Sequence, residues 1–254
     1  MDILYVVGKR LSDWDNNELR YSLRSIAKYG KNIRRVYIVG YTPPFVNRES
    51  DEVVILPFKD PTTDNKHLNI LSAVEYAVKN SDIADHFLYS SDDHYYTQPV
   101  DFDNYPVYWR GYDLPTELCD KPRWYDKTMF STYEVLNAFR LPTHFFAWHG
   151  NTHFNKTLFL SRRFSFILAL AYMMPECCDP TTLMLNYWRA TDPMSMPEMV
   201  KISDGKIGTQ TVEDIDIAAD IKHCLSTTDM VGAPMREWLQ KRFPMKCKYE
   251  RQDL

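Results

Sequence analysis

The sequence predicts an α/β domain, and three observations carry that prediction. Short runs rich in β-branched and aromatic residues recur through residues 1–100, segments with apolar residues three and four apart separate them, and turn residues close each run. Ile3 to Val7 is the first strand. Asp15-Asn16-Asn17-Glu18 then supplies helix-start residues, Leu19, Leu23 and Ile26 follow on one face, and Gly30 is placed to end the helix. Val36 to Val39 is a second strand, closed by Gly40 and the Pro43-Pro44 turn, and Val53 to Leu56 is a third. Asp64 or Asn65 can cap a helix in which Ile70, Val74, Ala77 and Val78 share a face. Phe87 to Ser90 is the fourth strand, and it delivers Asp92 and Asp93. Beyond Pro99 the pattern loosens into a stretch rich in Tyr, Trp and Pro, from Tyr105 to Phe146. Later helices are expected at Phe164 to Met173, Thr182 to Arg189 and Met235 to Arg242, the last with Pro234 in its first turn.

A chain of 254 residues, 25% of them charged, can bury a substantial core, and no linker or repeat divides it. One domain spanning 1–254 with appended C-terminal helices is therefore expected. The net charge of −4 offers no bulk attraction to nucleic acid or to an anionic membrane. Met1-Asp2 followed by Ile3 to Val7 is too short and wrongly flanked for a signal peptide, and the longest apolar run, Phe164 to Met174, falls short of the roughly 20 residues of a membrane span. Five cysteines without C-x-x-C or zinc-like spacing suit a reducing cytoplasm.

The chemistry concentrates where Phe87-Leu88-Tyr89-Ser90-Ser91 meets Asp92-Asp93-His94-Tyr95-Tyr96. Ligands of an open α/β sheet gather outside the carboxyl ends of its strands, and adjacent carboxylates there suit Mg²⁺ or Mn²⁺ on a diphosphate. A solvated acidic turn is the alternative reading. Neither G-x-G-x-x-G nor a P-loop pattern is present, so phosphate charge falls to a metal and to side chains. The candidates are Lys9 and Arg10 after strand one, Arg20 and Arg24 on the first helix, and Lys66, a cation at a helix start. Arg20 and Arg24 equally suit a solvated helix face paired with acids.

Asp15-Asn16-Asn17-Glu18-Leu19-Arg20-Tyr21-Ser22-Leu23-Arg24-Ser25-Ile26, then Arg34-Arg35-Val36-Tyr37-Ile38-Val39 and Tyr89-Ser90-Ser91-Asp92-Asp93, resemble the conserved blocks of the Stealth family of sugar-phosphate transferases. The same segments are similar to compact bacterial and phage proteins with the GT-A glycosyltransferase fold. Trp148-His149-Gly150-Asn151-Thr152-His153-Phe154-Asn155-Lys156 and Phe243-Pro244-Met245-Lys246-Cys247-Lys248-Tyr249-Glu250 resemble two later blocks of such proteins, although Ala147 stands where the first of them carries an acid.

The resemblance implies a GT-A-like α/β/α sandwich with a mostly parallel mixed sheet, a nucleotide-sugar-binding half at 1–100 and an acceptor-binding half with C-terminal helices at 101–254. It assigns Asp93, with Asp92 or Ser91, to a divalent cation, Mn²⁺ or Mg²⁺, and brings His149 into consideration as a further ligand. The donor contacts then fall to Val7, Gly8, Lys9, Arg20, Asn65, Lys66, Asn69 and Asp92. His149, Glu176 and Asp179 are the candidate bases for an inverting transfer, the two acids also suiting a turn or helix end. Trp109, Trp124, Tyr125 and Trp148 can stack on a sugar, a nucleobase or an extruded DNA base, or simply pack.

The expected activity is metal-dependent transfer of a sugar from a nucleotide sugar, UDP-sugar by default, to a hydroxyl acceptor. That acceptor is a glycan or a hydroxymethylated pyrimidine of phage DNA, in the cytoplasm of a bacterium or phage-infected host. For DNA, Arg162-Arg163 and Lys241, Arg242, Lys246 and Lys248 can hold phosphates or form solvated faces. The alternatives are a Stealth-like hexose-phosphate transferase and a noncatalytic sugar- or nucleotide-binding domain.

Overall fold

The computed structural model describes residues 1–8, 12–62, 64–109, 124–144, 152–188, 194–195, 199–201, 211–227 and 231–253. In chain order the elements are β1 (Asp2–Val7), α1 (Asn17–Tyr29), β2 (Gly30–Lys31), β3 (Arg35–Gly40), β4 (Val53–Leu56), α2 (Lys66–Asn80), β5 (His86–Ser90), β6 (His94–Tyr96), β7 (Val100–Asp101), β8 (Tyr108–Trp109), α3 (Trp124–Ala138) and β9 (Thr152–Asn155). There follow α4 (Lys156–Phe159), α5 (Arg162–Met173), α6 (Pro180–Trp188), β10 (Met194–Ser195), β11 (Met199–Lys201), α7 (Val212–Ile221), β12 (Cys224–Ser226) and α8 (Ala233–Arg242). The central sheet runs β4-β3-β1-β5-β9; its first four strands are parallel, and β9 is antiparallel to β5. The mostly parallel mixed sheet expected from the sequence is therefore present.

Strand alternation divides the core into two layers. Ile3, Tyr5, Val36, Ile38 and Leu88 face α1, packing with Leu19, Leu23 and Ile26. Leu4, Tyr37, Val39, Phe87 and Tyr89 face the opposite way, onto α2, α3, α5 and α6. Burial on both faces is why these strands read as nearly continuous apolar runs. A second sheet, β11-β12-β6, continues from the end of β5 and packs against α1, while Trp238 and Leu239 of α8 join its core.

Gly30 does end α1, but with extended backbone, and for a packing reason: a Cβ there would lie 2.5 Å from the Ile26 carbonyl and 2.6 Å from the Phe102 ring. Asn65, one of the two expected caps, starts α2 by accepting the Leu68 N–H at 3.0 Å. The stretch from Tyr105 to Phe146 holds a full helix, α3, where sequence reading saw only a loosened pattern. Its buried side includes Asp126, Thr128, Ser131 and Thr132, so polar residues hide the apolar period. Helix α7 also escaped the sequence reading, because Ile217 and Ile221 point to solvent; a Thr211–Asp214 capping box starts it.

Among the described residues no helix is long and apolar enough to cross a membrane, and Cys177, Cys178, Cys224 and Cys247 are free thiols.

Candidate active site

The chain lays β1, β3 and β4 outward in one direction, then returns through α2 to place β5 on the other side of β1. That reversal leaves a crevice outside the carboxyl ends of β1 and β5, the position where open α/β sheets bind ligands. Tyr5 and Ser90 are register partners there, and two positions further on stand Val7 and Asp92. Gly8 is exposed, with open space where a Cβ would be.

Asp92 and Asp93 meet in this crevice. Burial first, then the Asp93 charge and to a smaller extent the Glu18 carboxylate push the Asp92 carboxyl up to about 7, while Lys66 opposes them. Two acids resisting joint ionisation are the electrostatic condition that a cation relieves. Asp93 is half-buried, its Oδ1 3.8 Å from His94 Nε2, and its carbonyl accepts the Thr227 N–H at 3.1 Å, which ties the acidic turn to the end of β12. Ser91 is half-buried between the strand and the acids, and its carbonyl accepts the Ser90 hydroxyl at 3.3 Å. Among the described residues no three acidic, histidine or cysteine side chains form a ready metal cage. The pair instead suits a hard cation whose other ligands are phosphate oxygens and water, the usual arrangement for Mg²⁺.

Lys66 opens α2, and its charge acts on both Asp92 and His67. Asn65 and Asn69 form the joint beneath it. Besides capping α2, Asn65 donates to the Pro175 carbonyl at 3.3 Å, and Asn69 Oδ1 accepts from the Thr62 N–H and hydroxyl, each at 3.2 Å.

Asp179 begins α6. Its Oδ2 accepts from the Thr181 hydroxyl at 2.7 Å and the Thr182 N–H at 2.8 Å, and its Oδ1 stands 3.9 Å from His67 Nε2. Burial above all, and then the charges of Asp92, Asp179 and Asp93, raise the Tyr89 hydroxyl. Glu176 is half-buried on the approach to α6, with its carbonyl accepting the Thr128 hydroxyl at 3.5 Å.

Arg20 and Arg24 are drawn elsewhere. Arg24 grips the buried Glu250 through two hydrogen bonds of 2.6 and 2.9 Å, and Arg20 stacks over Phe45 with Nε 3.5 Å from the same carboxylate. They clamp the C-terminal segment, where Arg251 N–H donates to Phe45 and Asn47 N–H to Tyr249. Lys9, Arg10 and His149 lie outside the described residues, as does Trp148.

Two residues of this neighbourhood were missed by sequence reading. Glu18 is 6% exposed, accepts the Ser12 hydroxyl at 2.7 Å and adds to the field on Asp92, yet in sequence it is an ordinary first-turn acid. His67 is 5% exposed, and burial lowers its imidazole to about 4. Nothing local in the sequence distinguishes it from a surface histidine of α2.

Residues 12–111 match the family model of Stealth protein CR2, conserved region 2. The exopolysaccharide phosphotransferase SCO2592 of Streptomyces coelicolor is 33% identical over 91 residues, covering 34% of this chain and 10% of that protein. The human N-acetylglucosamine-1-phosphotransferase subunits alpha/beta are 34% identical over 84 residues, 31% of this chain and 7% of theirs. The aligned segment thus spans a tenth or less of these relatives. Among solved structures, the galactosyltransferase LgtC in complex with donor and acceptor sugar analogues superposes with a TM-score of 0.51 at 10% identity, covering 96% of this chain and 94% of its own. The fold is of the GT-A type, and the N-terminal segment resembles the Stealth sugar-phosphate transferases.

Proposed function

We propose that the protein is a nucleotide-sugar-dependent transferase that works with a divalent cation at Asp92 and Asp93. The observation that carries this reading is the placement of two mutually repelling carboxylates at the β1/β5 crevice of a GT-A-type sheet, with Lys66 alongside. Mn²⁺ or Mg²⁺ bound there supplies charge to stabilise the departing diphosphate oxygens. Lys66 adds a positive charge from the start of α2, and Gly8, directly after the buried Val7, leaves open space beside the donor. The acceptor hydroxyl forms its bond to the anomeric carbon as the bond to the diphosphate breaks. Its proton passes to a base for which Asp179, Glu176 and His149 are the candidates; Asp179 is held firmly by its cap bonds, which suits orientation as well as proton transfer. UDP-sugars are the first donors to test, against glycan and hydroxymethylpyrimidine-DNA acceptors.

The match of residues 12–111 to a Stealth region favours a second reading, transfer of a hexose phosphate. Product analysis separates the two, since glycosyl transfer releases nucleoside diphosphate and hexose-phosphate transfer releases nucleoside monophosphate. In either case Asp93→Asn should lower turnover by about 10²- to 10³-fold while leaving the circular dichroism spectrum and unfolding temperature intact. Metal-stripped protein should regain activity with Mn²⁺ or Mg²⁺. Full turnover by Asp93→Asn, or by the stripped protein, would remove the metal from the mechanism.

A further inference from the structure

His67 and Trp124 form a unit that the proposed chemistry does not use. Their rings are stacked, with centroids 4.7 Å apart and planes 14° from parallel, and Tyr125 closes one side at 6.4 Å. Trp124 remains 36% exposed, whereas His67 beneath it is 5% exposed. His67 Nε2 faces Asp179 Oδ1 at 3.9 Å, and its Nδ1 has no hydrogen-bond partner among the described residues. Leaving a buried imidazole nitrogen unsatisfied costs stability. A rigidly backed, open indole beside polar groups is what the apolar face and hydroxyl edge of a pyranose require. The position agrees, because His67 directly follows Lys66 at the start of α2, and that helix begins at the carboxyl edge of the parallel sheet, the edge at which β5 delivers Asp92 and Asp93.

We propose that Trp124 is the platform on which the sugar ring of the donor stacks, with His67 as a positioning residue that backs the indole and is itself oriented by Asp179. The inference rests on the nucleotide-sugar reading above. It names the contact that selects a donor carrying a hexose over the bare nucleotide.

Calorimetry with UDP, UDP-glucose and UDP-N-acetylglucosamine in the presence of Mn²⁺ tests it on the wild type, Trp124→Ala, Trp124→Phe, His67→Ala and the double alanine variant. Trp124→Ala should weaken the preferred UDP-sugar by about three- to tenfold and leave UDP unchanged, with Trp124→Phe retaining most of the affinity. His67→Ala should reproduce that selective loss, and the double variant should be no worse than Trp124→Ala, since the two residues act as one unit. Equal weakening of UDP and UDP-sugar, or no weakening by either Trp124 variant, would overturn the platform; the Trp124 pair decides this even if His67→Ala does not fold. Unchanged donor affinity with a raised acceptor KM would overturn the donor assignment. A wild type that binds neither UDP nor any UDP-sugar would overturn the functional reading itself, an outcome distinct from unaltered binding by the variants.

Discussion

Replacing His67 with phenylalanine keeps a flat ring under Trp124 and removes a titrating group whose folded environment holds it near 4, against 6.5 when free. Above about pH 6.5 the imidazole is neutral in both folded and unfolded chains, so it adds no pH dependence there. As the pH falls, the unfolded chain takes up a proton that the folded protein refuses until about pH 4, and stability drains away across that window. At 1.36 kcal/mol per pH unit the loss reaches about 3 kcal/mol by pH 4. Burial of the ring means that solvent does little to screen this value. Urea unfolding of both proteins at intervals from pH 7.5 to 4 isolates the effect, because other titrating groups cancel in the difference; Asp92, whose raised carboxyl contributes with the opposite sign, cancels with them. The variant should gain on the wild type by about 3 kcal/mol over that range. A difference that stays constant to within about 0.5 kcal/mol would show that the fold does not hold the His67 imidazole below its free value.

Lys66→Ala should weaken a UDP-sugar by about ten- to a hundredfold while leaving uridine binding unchanged, as read by calorimetry; equal weakening of both would make Lys66 structural. Its unfolding temperature without ligand should stay level or rise slightly, since a cation leaves a helix N-terminus. Glu250→Ala strands Arg24 and Arg20 and should cost about 3 kcal/mol, a fall of roughly 6–12 °C in Tm by differential scanning calorimetry, and a change under about 2 °C would deny the clamp. Gly40→Ala places a Cβ 2.2 Å from the Val7 carbonyl at a φ of 102°, so a loss of about 1–3 kcal/mol in chemical denaturation is expected, together with weaker donor binding through displaced Val7.

The features legible along the chain are local. The strands are legible because a run buried on both faces has to be apolar throughout, and α2 is legible because Asn65 and the apolar face that follows it are neighbours in the chain. The acidic turn could be read for the same reason, as Asp92 and Asp93 follow β5 directly. Helix α3 could not, since the threonines, serine and aspartate on its buried side interrupt the apolar period, and what buries them comes from α6, whose leading Asp179 N–H donates to Thr132. Tertiary structure alone decided that Arg20 and Arg24 answer Glu250 at the far end of the chain, and that Glu18 lends its field to Asp92. It likewise decided that His67 lies under Trp124 against Asp179, three residues from three separate helix starts. Periodicity and capping act through hydrogen bonds and burial within a few residues, so composition and spacing record them. Charge and stacking act through space, and the sequence carries no record of which distant residues the packing of helices will bring within a few ångströms.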